Sequence, residues 1–142
     1  MNYLLAFIVS AGFTLILTID QMVKSAASSH PAGFRRPLGP WLEFSHDRHV
    51  PASTGMASPL SLAVITCALV LYGGLHRNAV LLAAASVAAG GALSNYLSRR
   101  SPAGVVNCFS FHKRLAFNPA DVAITAGASI AAVTALLSLV PK

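Results

Sequence analysis

Four long apolar stretches constrain this chain more than any other feature of its sequence. They carry neither an internal proline nor a charge near the middle, and they lie at about 3–20, 60–75, 79–97 and 121–140. A helix of about 20 apolar residues crosses the hydrocarbon core of a bilayer, whereas a β-barrel needs many more alternating segments. We therefore predict an all-α integral membrane protein with four transmembrane helices, forming a single domain over residues 1–142.

The composition supports this fold class. Hydrophobic residues make up 55% of the chain and charged residues 10%, against about 25% charged residues in an ordinary soluble domain. The segment Met1-Asn2-Tyr3 has no basic side chain, which favours an uncleaved first helix over a cleaved secretory signal peptide.

Two long connections, 21–58 and 98–120, are expected on the same side of the membrane, because the turn between the second and third helices is short. The first connection holds four of the eight prolines and is predicted to be irregular. Its segment "PLGPWLEF" brings Trp41 and Phe44 close to Leu38, an amphipathic patch suited to the lipid headgroup region.

Most of the basic residues lie on the side of the long connections. They are Lys24, Arg35, Arg36, Arg48, Arg99, Arg100, Lys113 and Arg114. The positive-inside tendency alone would place this side in the cytoplasm. Because these residues flank membrane segments, the expected partner is membrane lipid with anionic headgroups, and not nucleic acid.

Cysteine and histidine provide no recognisable site. Cys67 and Cys108 stand in different environments and indicate neither a disulfide framework nor a zinc site. The histidines are expected to be solvated loop residues; they are His30, His46, His49, His76 and His112. No metal and no organic cofactor is predicted.

The third apolar stretch, "LLAAASVAAGGALSNYL", is rich in small residues. Gly90 and Gly91 remove side-chain bulk, so we expect a neighbouring helix to approach closely at these positions.

Two of the four acidic residues stand at the ends of apolar stretches, where a carboxylate is costly and is often functional. Asp20 precedes Lys24 by one helical turn, so a structural ion pair would explain both residues. Asp121 lies in "NPAD", where Asn118 suits the N-cap and a carboxylate at the third helical position favours the helix dipole. A structural and a functional interpretation are open for each aspartate.

The chain resembles the lipoprotein signal peptidase (signal peptidase II) family in four ordered segments. They are "TIDQMVK" at 18–24, "GGALSNYLSRR" at 90–100, "GVVNCF" at 104–109 and "FNPADVAITAG" at 117–127. The resemblance implies four helices in the bacterial inner membrane with the long connections outside, contrary to the charge distribution. It also implies an aspartyl endopeptidase that removes the signal peptide of diacylglyceryl-modified prolipoproteins with two aspartates.

Carried over residue by residue, the resemblance places the second catalytic aspartate at Asp121 and the first at Asn107. Residues of the substrate-binding or supporting positions would be Asp20, Lys24, Asn95, Ser98, Arg99 and Asn118. Asn107 thus replaces an aspartate, and three further positions depart from the family pattern: Ser94 replaces a glycine, Ser98 an aspartate, and Ser53 an asparagine.

These departures leave three functional hypotheses. Asn107 cannot exchange a proton at neutral pH, so the first is a catalytically degenerate relative that binds a lipid-modified lipoprotein segment or another membrane partner without cutting it. The second is an active or weakly active peptidase in which Asp121 is the base and Asn107 positions the attacking water or an oxyanion. The third is a structural subunit of a membrane complex that uses the small-residue surface of the third helix. A transporter is disfavoured, because no helix is broken or charged at mid-membrane.

Overall fold

The computed structural model describes residues 3–49, 73, 78–101 and 104–138. It contains three long helices, α1 (Tyr3–Ser28), α2 (Ala79–Arg100) and α3 (Pro119–Ser138). Each of these three is long and apolar enough to cross a membrane. The span predicted at 60–75 lies outside the described residues except for Gly73, so the expectation of four helices stays a prediction.

The two long connections form a small β-sheet. Its strands are β1 (Arg35–Pro37), β2 (Leu42–His49), β3 (Val105–Phe111) and β4 (Leu115–Phe117). They pair antiparallel in chain order. Leu42 lies opposite Phe111 and His49 opposite Val105, with a bulge between Phe44 and Asp47. The all-α prediction is therefore wrong for these connections, because β2 and β3 are far apart in sequence and no local pattern reveals their pairing.

The prolines of the first connection did not prevent this sheet. Pro37 is the last residue of the edge strand β1, a position that does not require a backbone N–H for the ladder. The side chains of the predicted headgroup patch lie in different environments. Trp41, just before β2, is exposed, whereas Phe44 in β2 packs against the cluster formed by Ala27, Val106 and Cys108.

Helix α1 continues past its predicted end at Asp20 to Ser28. The added segment "QMVKSAAS" contains no helix breaker, and Lys24 forms an ion pair with Asp20 one turn earlier. Ala27 is fully buried against Val106 and Cys108 of β3. The last turns of α1 therefore lie beside the sheet and connect it to the helices.

Glycines set the spacing of the three helices. A Cβ atom on Gly90 would lie 2.5 Å from the carbonyl oxygen of Phe13, and one on Gly91 would lie 2.7 Å from that of Ala120. These distances confirm the predicted close helix contacts of both glycines. Because Gly91 contacts the first turn of α3, the beginning of α3 is held beside the last turns of α2.

Candidate functional site

A cluster of polar side chains lies where the end of α2 and the beginning of α3 meet α1 and β3. Its members are Asp20, Lys24, Ser94, Asn95, Ser98, Asn107, Asn118 and Asp121. Ser98, Asn107 and Asp121 are partly exposed, and the other five are buried. We call these eight residues the polar cluster.

Asp20 is the anchor of the polar cluster on α1, and its carboxylate is fully buried. Its Oδ2 lies 2.6 Å from Lys24 Nζ and accepts a hydrogen bond of 2.6 Å from Ser94 Oγ. Its Oδ1 accepts a hydrogen bond of 2.8 Å from the backbone N–H of Ala120. The predicted ion pair is confirmed, and both oxygens are satisfied by charge-assisted hydrogen bonds.

Lys24 connects this anchor to the amides of the cluster. Its Nζ also donates to Asn95 Oδ1 at 2.9 Å and to Ser98 Oγ at 3.1 Å. With Oδ1 turned towards the ammonium, the Asn95 amide directs Nδ2 to Asp121 Oδ1 at 2.7 Å. Lys24 thus fixes the direction in which Asn95 donates.

Asp121 has a structural role as well as its place in the cluster. Its backbone N–H donates to Asn118 Oδ1 at 3.0 Å, and its Oδ2 accepts from the backbone N–H of Asn118 at 3.1 Å. Together with Pro119 at the first helical position, this is a reciprocal capping box. The predicted cap is confirmed, and the same carboxylate remains partly exposed.

Asn107 reaches the polar cluster from β3. Its Oδ1 accepts a hydrogen bond of 3.3 Å from Asn118 Nδ2, and the same nitrogen also donates to Asn95 Oδ1 at 3.2 Å. Asn118 therefore bonds to both Asn107 and Asp121. Within the described part of the chain, no acceptor lies within hydrogen-bond distance of Asn107 Nδ2.

Cys108 follows Asn107 but does not belong to the cluster. Its side chain is fully buried beside Ala27 and Val106. Burial, together with the smaller effect of the Asp20 carboxylate, raises the pKa of the Cys108 thiol from 9.0 to about 12. This thiol stays protonated at neutral pH and is a poor nucleophile.

The remaining predicted residues have different positions. Arg99 lies partly buried at the end of α2, next to Ser98. Ser53 falls outside the described residues. Sequence reasoning treated Ser94 only as a departure from a family pattern, whereas its hydroxyl joins Asp20 to Gln21, whose Nε2 donates to Ser94 Oγ at 2.6 Å.

One histidine contradicts the expectation that all five are solvated. His46 is 1% exposed, its Nδ1 lies 2.6 Å from the carbonyl oxygen of His30, and Arg48 Nε lies 3.3 Å from its Nε2. His46 lies in the bulge of β2 between Phe44 and Asp47, where its side chain points inward. No local sequence pattern predicts this bulge. Among the described residues, no three histidine, cysteine or acidic side chains come together as a metal site would require.

The chain is similar to known membrane enzymes in sequence family and in fold. Residues 13–137 match the family model described as signal peptidase (SPase) II. Two solved structures, both described as bacterial membrane enzymes studied by the in meso method, have the same fold. The first is 20% identical with a TM-score of 0.71, covering 93% of this chain and 94% of the other. The second is 21% identical with a TM-score of 0.72, covering 92% and 87%. A search of the curated proteins found no match.

Proposed function

The chain belongs to the signal peptidase II family, and we propose that it binds the lipid-modified signal segment of a prolipoprotein in the bacterial inner membrane without cleaving it. In this proposal the polar cluster lies on the outer side of the membrane, and its partly exposed members Asn107 and Asp121 contact the bound segment.

The observation that carries the proposal is that Asn118 links Asp121 to the amide of Asn107 and not to a second carboxylate. Aspartyl proteolysis requires one carboxyl group to take a proton from water and another to give one to the leaving group. Asn107 provides neither function at neutral pH. Loss of one member of a catalytic unit costs nearly as much activity as loss of the whole unit.

The other carboxylate of the cluster does not replace the missing one. Asp20 is fully buried, carries the Lys24 ion pair at 2.6 Å, and accepts the Ala120 N–H. Removing it from these partners would leave a buried ammonium without its counter-ion, which is strongly unfavourable.

The same geometry suits binding. Asn107 Oδ1 is held by Asn118, which leaves Nδ2 as a donor for a backbone carbonyl of an extended segment. Asp121 Oδ1 and Oδ2 each accept one hydrogen bond from the described residues, and a carboxylate oxygen has a second lone pair for a backbone N–H. Asn107 and Asp121 are both bonded to Asn118, and together they offer the donor and the acceptor that a peptide group requires.

A binding experiment tests the proposal. The chain in lipid nanodiscs is incubated with a fluorescent lipobox peptide, that is, a peptide that contains the diacylglyceryl-modified cysteine of a prolipoprotein and its cleavage site. The bound peptide is recovered, and its mass is measured by mass spectrometry. We expect uncut peptide to bind, and Asn107→Ala to weaken binding about tenfold through the loss of one buried hydrogen bond. Ser10→Ala, which removes an exposed hydroxyl on α1, is the matched control. Absence of affinity in the unmutated chain would contradict the proposal.

A specific contact in the sheet favours an active peptidase as the second candidate. Asp47 lies directly across the β2–β3 ladder from Asn107, and it is held by Arg35 Nη2 at 3.2 Å. If Arg35 released it, Asp47 would supply the proton that Asn107 lacks, with Asp121 as the base. Slow cleavage abolished by both Asp47→Asn and Asp121→Asn would support this candidate, whereas cleavage unaffected by Asp47→Asn would refute this role.

The third hypothesis, a structural subunit, stays a prediction. Gly90 faces Phe13 of α1, and Gly91 faces Ala120 of α3, so these two glycines pack within the chain.

A further inference from the structure

The β3–β4 hairpin exposes apolar and basic side chains together at its tip. Its turn spans Phe111–Arg114 and is closed by the hydrogen bond from the backbone N–H of Arg114 to the carbonyl oxygen of Phe111, 3.0 Å. Phe111 is 41% exposed and Leu115 62% exposed, and Lys113 and Arg114 between them are exposed. Such a combination on one turn is typical of a surface that contacts a partner.

Trp41, the single tryptophan of the chain, contacts the tip of the hairpin. The carbonyl oxygen of Trp41 accepts a hydrogen bond of 2.8 Å from the backbone N–H of His112, and the two rings stack with centroids 6.0 Å apart. The Trp41 side chain is nevertheless 60% exposed. We call Trp41, Phe111, Lys113, Arg114 and Leu115 the hairpin surface.

The turn is built at a cost to the backbone. His112 and Lys113 have φ angles of 50° and 59°, the left-handed values that a type I′ turn requires and that Gly or Asn adopts most easily. Lys113 thus occupies the tip in a backbone conformation that costs free energy for a residue with a Cβ atom.

Among the described residues, no acidic side chain forms an ion pair with the basic residues of the tip. The sequence has four acidic side chains, and all four lie in described segments. Asp20 and Asp121 belong to the polar cluster, and Glu43 and Asp47 both bind Arg35. The complement of Lys113 and Arg114 is therefore an anion from outside.

The position of the hairpin identifies that anion. Strand β4 ends at Phe117, and the membrane-spanning helix α3 begins at Pro119, so the hairpin lies at the membrane surface. Tryptophan is favoured in the headgroup region, and lysine or arginine near a membrane surface attracts anionic lipid. We infer that the hairpin surface docks onto the bilayer and that Lys113 and Arg114 bind the phosphate groups of anionic phospholipids. This inference is independent of whether the polar cluster binds a prolipoprotein.

Fluorescence of the single tryptophan tests this inference without a label. The full chain is placed in phosphatidylcholine vesicles with increasing fractions of brominated phosphatidylglycerol or, separately, brominated phosphatidylcholine, and quenching of Trp41 gives the relative binding constant. We expect phosphatidylglycerol to be preferred by up to about 25-fold, with about a fivefold contribution from each of the two basic residues. The double variant Lys113→Gln/Arg114→Gln should lose the preference.

The charge-conserving variant Lys113→Arg/Arg114→Lys is the matched control and should keep the preference. Equal quenching by the two brominated lipids in the unmutated chain would overturn the inference, as would no quenching by either. A preference that persists in Lys113→Gln/Arg114→Gln would also overturn it.

Discussion

Asp20 of α1 accepts a hydrogen bond of 2.8 Å from the backbone N–H of Ala120, in the first turn of α3. A buried carboxylate on one helix thus satisfies a free N–H at the beginning of another, where the helix dipole also favours negative charge. Asp121 is the next residue after Ala120. Its position in the polar cluster therefore depends on Asp20 as well as on its own capping box.

The first prediction concerns the charge of Asp20. Asp20→Asn would leave Lys24 buried without its counter-ion and should lower the free energy of unfolding by about 3–5 kcal/mol. The midpoint of thermal unfolding in detergent provides the measurement. Glu43→Gln is the matched comparison, because Glu43 pairs with Arg35 at a partly exposed position, where loss of the pair should cost less than about 1 kcal/mol. Equal effects of the two substitutions would contradict the role assigned to Asp20.

The second prediction separates the two roles of Asn118. Asn118→Ala removes the N-cap and should cost about 1 kcal/mol of stability. Asn118→Ser keeps a capping oxygen but removes Nδ2, which holds Asn107 and Asn95. We therefore expect Asn118→Ser to unfold nearly as the unmutated chain does but to bind the lipobox peptide more weakly. Unchanged peptide binding in the Asn118→Ser variant would show that this link is not needed.

The third prediction concerns the contact between α2 and α3. Gly91→Ala places a methyl group where the carbonyl oxygen of Ala120 lies within 2.7 Å, so the helices must separate, at a cost of about 1–3 kcal/mol. Gly39→Ala is the control, because no atom lies within 4 Å of its added Cβ. Thermal unfolding of both variants gives the comparison, and a Gly91→Ala variant as stable as Gly39→Ala would contradict the predicted steric conflict.

Local patterns in the sequence predicted the features that depend on neighbouring residues. The spacing of Asp20 and Lys24 predicted their ion pair, "NPAD" predicted the cap of α3, and Gly90 and Gly91 predicted the helix contacts. Each of these features follows from residues within one or two helical turns of each other or from the side-chain size at a single position.

The features that sequence reasoning missed depend on contacts between distant segments. The sheet arises from pairing of β2 with β3, and the inward position of His46 accompanies a bulge in that pairing. The role of Ser94 depends on the register of α1 against α2, which places its hydroxyl 2.6 Å from Asp20. Neither a period nor a motif in one segment specifies such a register.

The fourth prediction concerns pH and Cys108. The folded chain raises the pKa of this thiol from 9.0 to about 12, so the folded state binds the thiol proton more tightly than the unfolded state. The corresponding stabilisation is complete below pH 9 and is lost as the pH rises from 9 through 12. In a Cys67→Ala background, Cys108 should therefore react with a maleimide at pH 9 roughly 100-fold or more slowly than an exposed thiol does.

The matched control for this measurement is an exposed cysteine on the last turn of α1, introduced as Ser28→Cys with both native cysteines replaced by alanine. Fast labelling of Cys108 in the folded chain, at the rate of this control, would show that the thiol is neither buried nor held protonated.

The central claim is that Asn107, in place of an aspartate, makes the polar cluster a binding site without peptidase activity. A cleavage assay tests this claim most directly. The unmutated chain, Asn107→Asp, and Asn107→Asp with Asp121→Asn are placed in nanodiscs with a diacylglyceryl-modified prolipoprotein, and the released signal peptide is quantified. We predict that the unmutated chain releases none, that Asn107→Asp releases signal peptide, and that adding Asp121→Asn abolishes the release. Release of signal peptide by the unmutated chain, stopped by Asp121→Asn alone, would contradict the claim and identify the protein as an active peptidase.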